Sequence, residues 1–302
     1  MTLALLCPGQ SAQTAQAFLA IAQEPETRQI AEAFQRVTGL TPHMLQQATP
    51  EALQANSIAQ PLVCATTLAT FFLLRSALPS PCVVAGYSIG ELAAYGVAGW
   101  IEPFEVIRLA RLRAQCMDEA NRQGAICAVR GLPRSVIASI LAPNSYIAIV
   151  NGADRYVLAG SPEGMAQTAE AAGTLGANVT FLPVRIASHT PLMRDAVAPF
   201  KKALESVTFQ SAQTPVLAGI DGASVLSRAE AIHALSEQLA TTIDWAACMI
   251  ATRERGARLA LELPPGGDIA RLMRESEPTL RTRAVVEFRS LKSVADWIDR
   301  TA

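Results

Sequence analysis

Charge, aromatic rings and histidine are all scarce in this 302-residue chain. Charged residues make up 17% of it and aromatic residues 5%, there are three histidines, and 25 basic residues nearly cancel 26 acidic ones, leaving a formal net charge of −1. With no Lys/Arg block and no basic surplus, the chain carries no electrostatic footprint for nucleic acid or an anionic membrane, and both are excluded as partners. The longest apolar run, Pro61 to Leu74, holds about 14 residues against the roughly 20 that span a bilayer, and predicts a buried helix. The start, Met1-Thr2-Leu3-Ala4-Leu5-Leu6, lacks a basic flank and does not resemble a secretory signal. The six cysteines (Cys7, Cys64, Cys82, Cys116, Cys127, Cys248) are far apart, with no CxxC and no clustered histidines. Reduced thiols in a cytoplasmic protein are expected, and no metal site.

Apolar residues, by contrast, make up half of the chain. At this mass folding removes about three quarters of the unfolded chain's surface from water, so a sizeable core forms and intrinsic disorder is excluded. Short apolar runs alternate with helical patterns, which predicts an α/β fold with a parallel sheet. Strands are expected at Leu3–Cys7, Cys82–Gly86, Pro215–Ile220, Arg258–Leu263 and Ala284–Phe288, and helices at Pro61–Ala77, Glu91–Ala98, Phe104–Asn121, Pro191–Ser206 and Ala229–Thr241. One stretch breaks the rhythm: between Ala125 and Val184 the order reads βαββαβ, a ferredoxin-like unit. It predicts a small domain, residues 125–187, inserted into a large α/β domain made of residues 1–124 and 188–302, with a ligand cleft between them.

Within Val83 to Ala94 a G-x-S-x-G, Gly86-Tyr87-Ser88-Ile89-Gly90, falls between a buried strand and a helix. That is the setting of a nucleophile elbow, where glycines permit tight backbone approach around a strained serine. The competing reading is a glycine-rich turn with Ser88 capping the helix. As a nucleophile, Ser88 has the Ile89 N–H and the helix dipole beside it for a developing oxyanion. It also needs a base, and three histidines are available. His233 falls on a solvated helix face, His43 in a Thr-Pro turn, and His189 where the chain re-enters the large domain. His189 fits either a base facing the cleft or an ordinary helix-start residue.

An arginine lies on the inward stripe Val106, Leu109, Ala110, Arg113, Met117 of the helix after Phe104. A buried guanidinium keeps its proton and requires an anion, either a protein carboxylate, for which Glu91 is the candidate, or a substrate carboxylate gripped by the fork.

Together these features resemble the malonyl-CoA:acyl carrier protein transacylase family over nearly the whole chain. Pro8-Gly9-Gln10-Ser11-Ala12-Gln13 resembles its PGQGSQ, Gln60-Pro61 its QP, and Gly86 to Glu91 its GHSxGE. Arg113 with Met117-Asp118-Glu119-Ala120 resembles RGxxMxEA, Asn151 with Ala159-Gly160 NSPxQxVxAG, and Ser188-His189 with Leu192-Met193 SHxxLM. Gln238-Leu239 with Trp245, and Pro265-Gly266, resemble the C-terminal QLxxPVxW and GPG. The resemblance implies an α/β-hydrolase-like large domain and an acyltransferase in which Ser88 carries the acyl group and His189 is the base. It implies that Arg113 holds the malonyl carboxylate, that the N–H groups of Gln10 and Ile89 form the oxyanion hole, and that the main-chain carbonyl of Gln238 orients His189. Gln60, Met117, Asn151 and Tyr87 are implied to line the substrate pocket. No bound cofactor is implied; malonyl-CoA and an acyl carrier protein with a phosphopantetheine-type group are the partners.

The chain departs from the pattern in three places: Tyr87 stands where most relatives have histidine, Ser11-Ala12 replaces Gly-Ser, and Thr241-Thr242 replaces Asn-Pro. The GYSxGE form resembles the malonate decarboxylase epsilon-subunit branch, which implies as acceptor the decarboxylase's own carrier subunit with its phosphoribosyl-dephospho-CoA thiol. The alternative acceptor is the carrier of fatty-acid synthesis. An α/β-hydrolase esterase needs an acid between serine and histidine, a His-Gly-Gly loop and usually a late histidine; no such loop exists here, and His189 is mid-chain. A carrier-docking scaffold without catalysis leaves serine, histidine and arginine without a purpose.

Overall fold

The computed structural model describes residues 2–10, 13–120, 123–211 and 214–301. Ser11-Ala12 of the first motif and the Asn121 end expected for its helix lie outside them. Eleven strands among the described residues form two sheets: β1 (Leu3–Cys7), β2 (Val83–Gly86), β7 (Val216–Leu217), β8 (Ser224–Val225), β10 (Leu259–Glu262) and β11 (Arg281–Ala284) in the larger, and β3 (Ala125–Arg130), β4 (Ser145–Gly152), β5 (Arg155–Gly160), β6 (Asn178–Phe181) and β9 (Ile243–Asp244) in the smaller.

The larger sheet has the order β11-β10-β1-β2-β7-β8 and is parallel except for the β7–β8 pair. Its central strand Leu-Ala-Leu-Leu-Cys is buried at every position, because both faces are covered: Leu3, Leu5 and Cys7 point into one core and Ala4 and Leu6 into another. A parallel strand covered on both sides must read as a continuous apolar run, which is why this one is plain in the sequence. The first core is closed by the helices Asn56–Leu74, Ile89–Val97, Pro103–Ala120 and Arg194–Glu205. The second is closed by the helices Trp245–Glu254 and Asp268–Ser276 together with the smaller sheet, whose Ile126, Ile149, Val157 and Ala159 pack into it.

From Ala125 to Phe181 the elements run βαββαβ, and the strand order β6-β3-β5-β4 is the ferredoxin-like one. The sheet has a fifth member: β9, from beyond this stretch, pairs with β4 in parallel through Ile149↔Ile243 and Val150↔Asp244.

The strand expected at Pro215–Ile220 shortens to Val216–Leu217 and the helix expected at Ala229–Thr241 ends at Glu237, and two further elements differ in kind. The helix expected from Pro61 begins at Asn56, so Pro61 lies inside it. Proline lacks the N–H that would bond the carbonyl four residues back, and the Arg111 guanidinium supplies the missing donor to Ser57 O at 2.5 Å. This helix is apolar and long enough to cross a membrane, yet 72% of its most apolar stretch is buried inside the protein. The last strand is Arg281–Ala284, and the expected Ala284–Phe288 is a 3₁₀ turn, Val285–Glu287, instead. β11 is an edge strand with Thr282 and Ala284 buried and arginines at 281 and 283, so its charges hid its alternation.

Candidate active site

The parallel strands end on one side of the larger sheet, where β1 runs into Pro8-Gly9-Gln10 and β2 into Tyr87-Ser88. β1 has β2 on one side and β10 on the other, the reversal point at which open α/β sheets bind ligands. After β2 the backbone turns sharply into the helix Ile89–Val97, with Gly90 N donating to Tyr87 O at 2.9 Å and Tyr87 N to Cys7 O at 2.9 Å. Ser88 sits at the apex with φ 55° and ψ −116°. The two flanking glycines are steric necessities: a Cβ at Gly86 would fall 2.2 Å from Gly90 O, and one at Gly90 would fall 2.2 Å from Cys7 O. Here the G-x-S-x-G spacing is the shape of an elbow, and capping does not explain it, since Ser88 makes no side-chain cap bond.

Ser88 Oγ lies 2.8 Å from His189 Nε2, and His189 Nδ1 lies 2.6 Å from the main-chain oxygen of Gln238. A carbonyl only accepts, so in the neutral ring the proton is on Nδ1 and Nε2 is free to accept from the serine hydroxyl. Burial, assisted by the positive charge of Arg113 and opposed by the Gln238 hydrogen bond, holds the imidazole down to about 3, so it is neutral at physiological pH. His189 itself has φ 62°, and its N–H donates to Leu239 O at 2.9 Å. Thr241-Thr242, in place of Asn-Pro, leaves this contact intact: Thr242 Oγ1 donates to Ile147 O of β4 at 2.7 Å instead. His43 and His233 are both exposed.

Arg113 is 1% exposed. Its Nη1 donates to Gln60 Oε1 at 2.9 Å, and its Nη2 donates to Gln238 Oε1 at 3.1 Å and reaches Ser88 Oγ at 3.4 Å. Burial lowers the guanidinium to about 10, so it remains charged at neutral pH. Glu91, the candidate protein partner, does not pair with it: among the described residues no carboxylate lies within ion-pair distance of Arg113. Glu91 Oε2 instead accepts from Gln238 Nε2 at 2.8 Å and Gly219 N at 3.0 Å. Two neutral amide oxygens solvate the cation without neutralising it. The arrangement therefore presents an unpaired positive charge beside the serine hydroxyl.

Gln60 Nε2 donates to Met117 Sδ at 3.6 Å, which completes the wall behind Arg113. Ile89 opens its helix fully buried, and the first N–H groups of a helix have no acceptor within it. Gln10 is held from the opposite side by its side chain, which donates to Asn56 Oδ1 at 3.1 Å, while Asn56 Nδ2 donates to Asp118 Oδ1 at 2.9 Å. Asn56 and Asp118 were missed by sequence reasoning, and nothing in their polar, distant positions would have revealed them. Tyr87 and Asn151 lie outside this cluster, in a cavity of about 460 Å³ between the two sheets that Gln10 also lines. Tyr87 packs edge-on against Trp245 with ring centroids 5.3 Å apart. Cys64 lies close by, but burial pushes its thiol up to about 12, out of range for a nucleophile.

A strained elbow serine, a neutral histidine aimed at it and a buried cation 3.4 Å from the serine hydroxyl, set at the strand ends of an α/β sheet, are suited to serine-based acyl chemistry. The acyl transferase domain family matches residues 6–285, and the chain belongs to that family. Malonyl CoA-acyl carrier protein transacylase of Mycobacterium bovis is 30% identical over 305 residues, covering 97% of this chain and 99% of the relative. The structure of malonyl CoA-acyl carrier protein transacylase from Coxiella burnetii superposes with a TM-score of 0.92 at 25% identity, covering 100% and 98% of the two chains. A malonyl-transacylase solved in complex with its type II PKS acyl-carrier protein gives a TM-score of 0.91 at 27% identity, covering 98% and 99%.

Proposed function

We propose that this chain moves a malonyl group from malonyl-CoA to the thiol of an acyl carrier protein through a malonyl ester on Ser88. The observation that carries the reading is Arg113: a buried, charged guanidinium with no carboxylate of the described residues at ion-pair distance, 3.4 Å from the hydroxyl. A thioester whose acyl group ends in a carboxylate satisfies both at once, its charge on the guanidinium and its carbonyl at Oγ. His189 Nε2 takes the Oγ proton as Oγ bonds to the thioester carbon, and the oxyanion meets the N–H groups of Gln10 and Ile89. The carbon–sulfur bond then breaks and Nε2 returns the proton to the departing CoA sulfur. The carrier thiol reverses these steps, giving up its proton to His189 while Oγ leaves with one. Residues 125–187 are, in this reading, an inserted unit that walls the cleft.

The transacylase names of the relatives, and the type II PKS carrier complex of one of them, support an acyl carrier protein as acceptor, in line with the alternative to the decarboxylase carrier. The decarboxylase carrier remains a second reading on the single observation of Tyr87, which lines the cavity in the cleft. Mass spectrometry after mixing with malonyl-CoA tests the core: a stable malonyl adduct on Ser88 is expected, rapid hydrolysis would indicate an esterase, and no adduct a scaffold. Transfer rates to a fatty-acid carrier and to a decarboxylase carrier, compared side by side, then choose the acceptor. A clear preference for the decarboxylase carrier would restore the reading from Tyr87.

A further inference from the structure

Gln238 serves three partners at once. Its main-chain oxygen holds His189 Nδ1 at 2.6 Å, its Oε1 accepts from Arg113 at 3.1 Å, and its Nε2 donates to Glu91 Oε2 at 2.8 Å. A guanidinium has only donors, so the oxygen end of the amide must face Arg113 and the NH₂ end needs an acceptor on the far side. Glu91 is that acceptor. We propose that Glu91 is a positioning residue of the acyl-transfer centre: it fixes the Gln238 amide and, through it, both the Arg113 fork and the carbonyl that orients His189.

Three further features support this role. Glu91 is 0% exposed, and its Oε1 has no partner among the described residues, so an ion pair does not account for a carboxyl at this position. Oε2 accepts twice, from Gln238 and from the Gly219 N–H, which fixes its direction and leaves Oε1 as the place for a proton. Gly219 leaves just the space required: a Cβ there would fall 2.7 Å from Oε2. Without the acceptor the amide is free to turn, and its NH₂ would face the guanidinium donor to donor.

The inference rests on the transferase reading, with Arg113 gripping the malonyl carboxylate. Glu91→Met keeps length and volume without an acceptor, and Glu91→Gln keeps an acceptor oxygen. Glu91→Met is expected to lower kcat/KM for malonyl-CoA at least about tenfold and to lower the malonyl-to-acetyl ratio with it, as loss of a buried hydrogen bond would. Glu91→Gln should stay within about threefold of wild type on both, since the donor of Gln238 remains satisfied. A residue acting only through Gln238 also predicts that Glu91→Met adds nothing further to Gln238→Met. Should Glu91→Met fail to fold, Gly219→Ala, which displaces the carboxyl from Gln238, must lower the same ratio. An unchanged ratio in whichever of these folds, or an equal loss in Glu91→Gln at unchanged melting temperature, overturns the proposal alone. Wild-type protein that forms no malonyl ester on Ser88 overturns the transferase reading, and this one with it.

Discussion

Ser88 and His189, 2.8 Å apart at Oγ and Nε2, both hold a left-handed backbone, with φ of 55° and 62°. Non-glycine residues in this region cost about 1–3 kcal/mol each and persist only where the surroundings enforce them. Each is pinned by main-chain bonds, Ser88 O accepting from Glu91 N at 3.0 Å and His189 N donating to Leu239 O at 2.9 Å. Ser88→Ala is expected to abolish both adduct and transfer. His189→Ala should slow transfer by about 10²–10⁴ through loss of general-base catalysis, with His43→Ala unchanged. Single-turnover kinetics followed by mass spectrometry measure all three.

Arg113→Ala should reduce malonyl transfer by about 30- to 1000-fold in kcat/KM and bring the enzyme close to indifference between malonyl and acetyl, because only malonyl supplies the opposite charge. Arg113→Lys should recover part of the preference, since the ammonium keeps the charge and loses the fork. No carboxylate is stranded by either change, so the melting temperature should fall modestly. Equal loss with both acyl-CoAs would refute the clamp.

With His189 held near 3, the base stays neutral far below the usual 6.5 of histidine. Plots of kcat/KM against pH should therefore be free of an acid limb at 6 to 7, and a limb there would show a solvated imidazole.

Stability should respond to pH through two buried carboxyls. Burial raises Glu91 and Glu262 from 4.5 to about 8, so between these values the folded chain holds protons that the unfolded chain has released. Their contribution is complete below 4.5 and is lost as pH rises through 8. His189 works in the opposite sense, costing stability as pH falls below 6.5, because only the unfolded chain then takes up its proton. Above 6.5 the carboxyls act alone, and melting temperature should decline from there to pH 8. Glu262→Gln, which keeps an acceptor for the Ala270 N–H now bonded at 2.6 Å, should flatten that decline. A slope identical to wild type would show that Glu262 is ionised in the fold.

Gly90→Ala would set a Cβ 2.2 Å from the Cys7 carbonyl oxygen, a clash of main chain against main chain that no rotamer relieves. The cost is about 1–3 kcal/mol or more, visible as a melting temperature lower by several degrees and as loss of the Ser88 adduct. A fully active, equally stable variant would show that the elbow is looser than its geometry.

What was legible in the sequence follows from how many residues carry each signal. β1 could be read because five buried positions in a row admit nothing but apolar side chains, and Arg113 because a charge on an apolar helical stripe stands out. β9 could not, since a two-residue strand has no periodicity, nor could β11, whose outward positions are arginines. Ser88 is marked by its glycines, whereas position alone leaves His189 one of three histidines; its resemblance to an SHxxLM motif singles it out, and the fold sets its ring on the hydroxyl. Glu91 is, from the sequence, one of two possible partners for Arg113: the sequence shows that a carboxyl and a guanidinium share a region, but not that the Gln238 amide stands between them.

The β4–β9 pairing ties the smaller sheet to the stretch of chain that orients His189. β9 begins a few residues after Gln238, and Asp244 at its end donates its N–H to Gly219 O at 2.9 Å, the same residue whose N–H holds Glu91. A hinge motion that parted the two sheets would pull on this stitch and draw the Gln238 carbonyl away from His189. The seating of the smaller sheet and the aim of the histidine are thus tied through one short stretch of main chain.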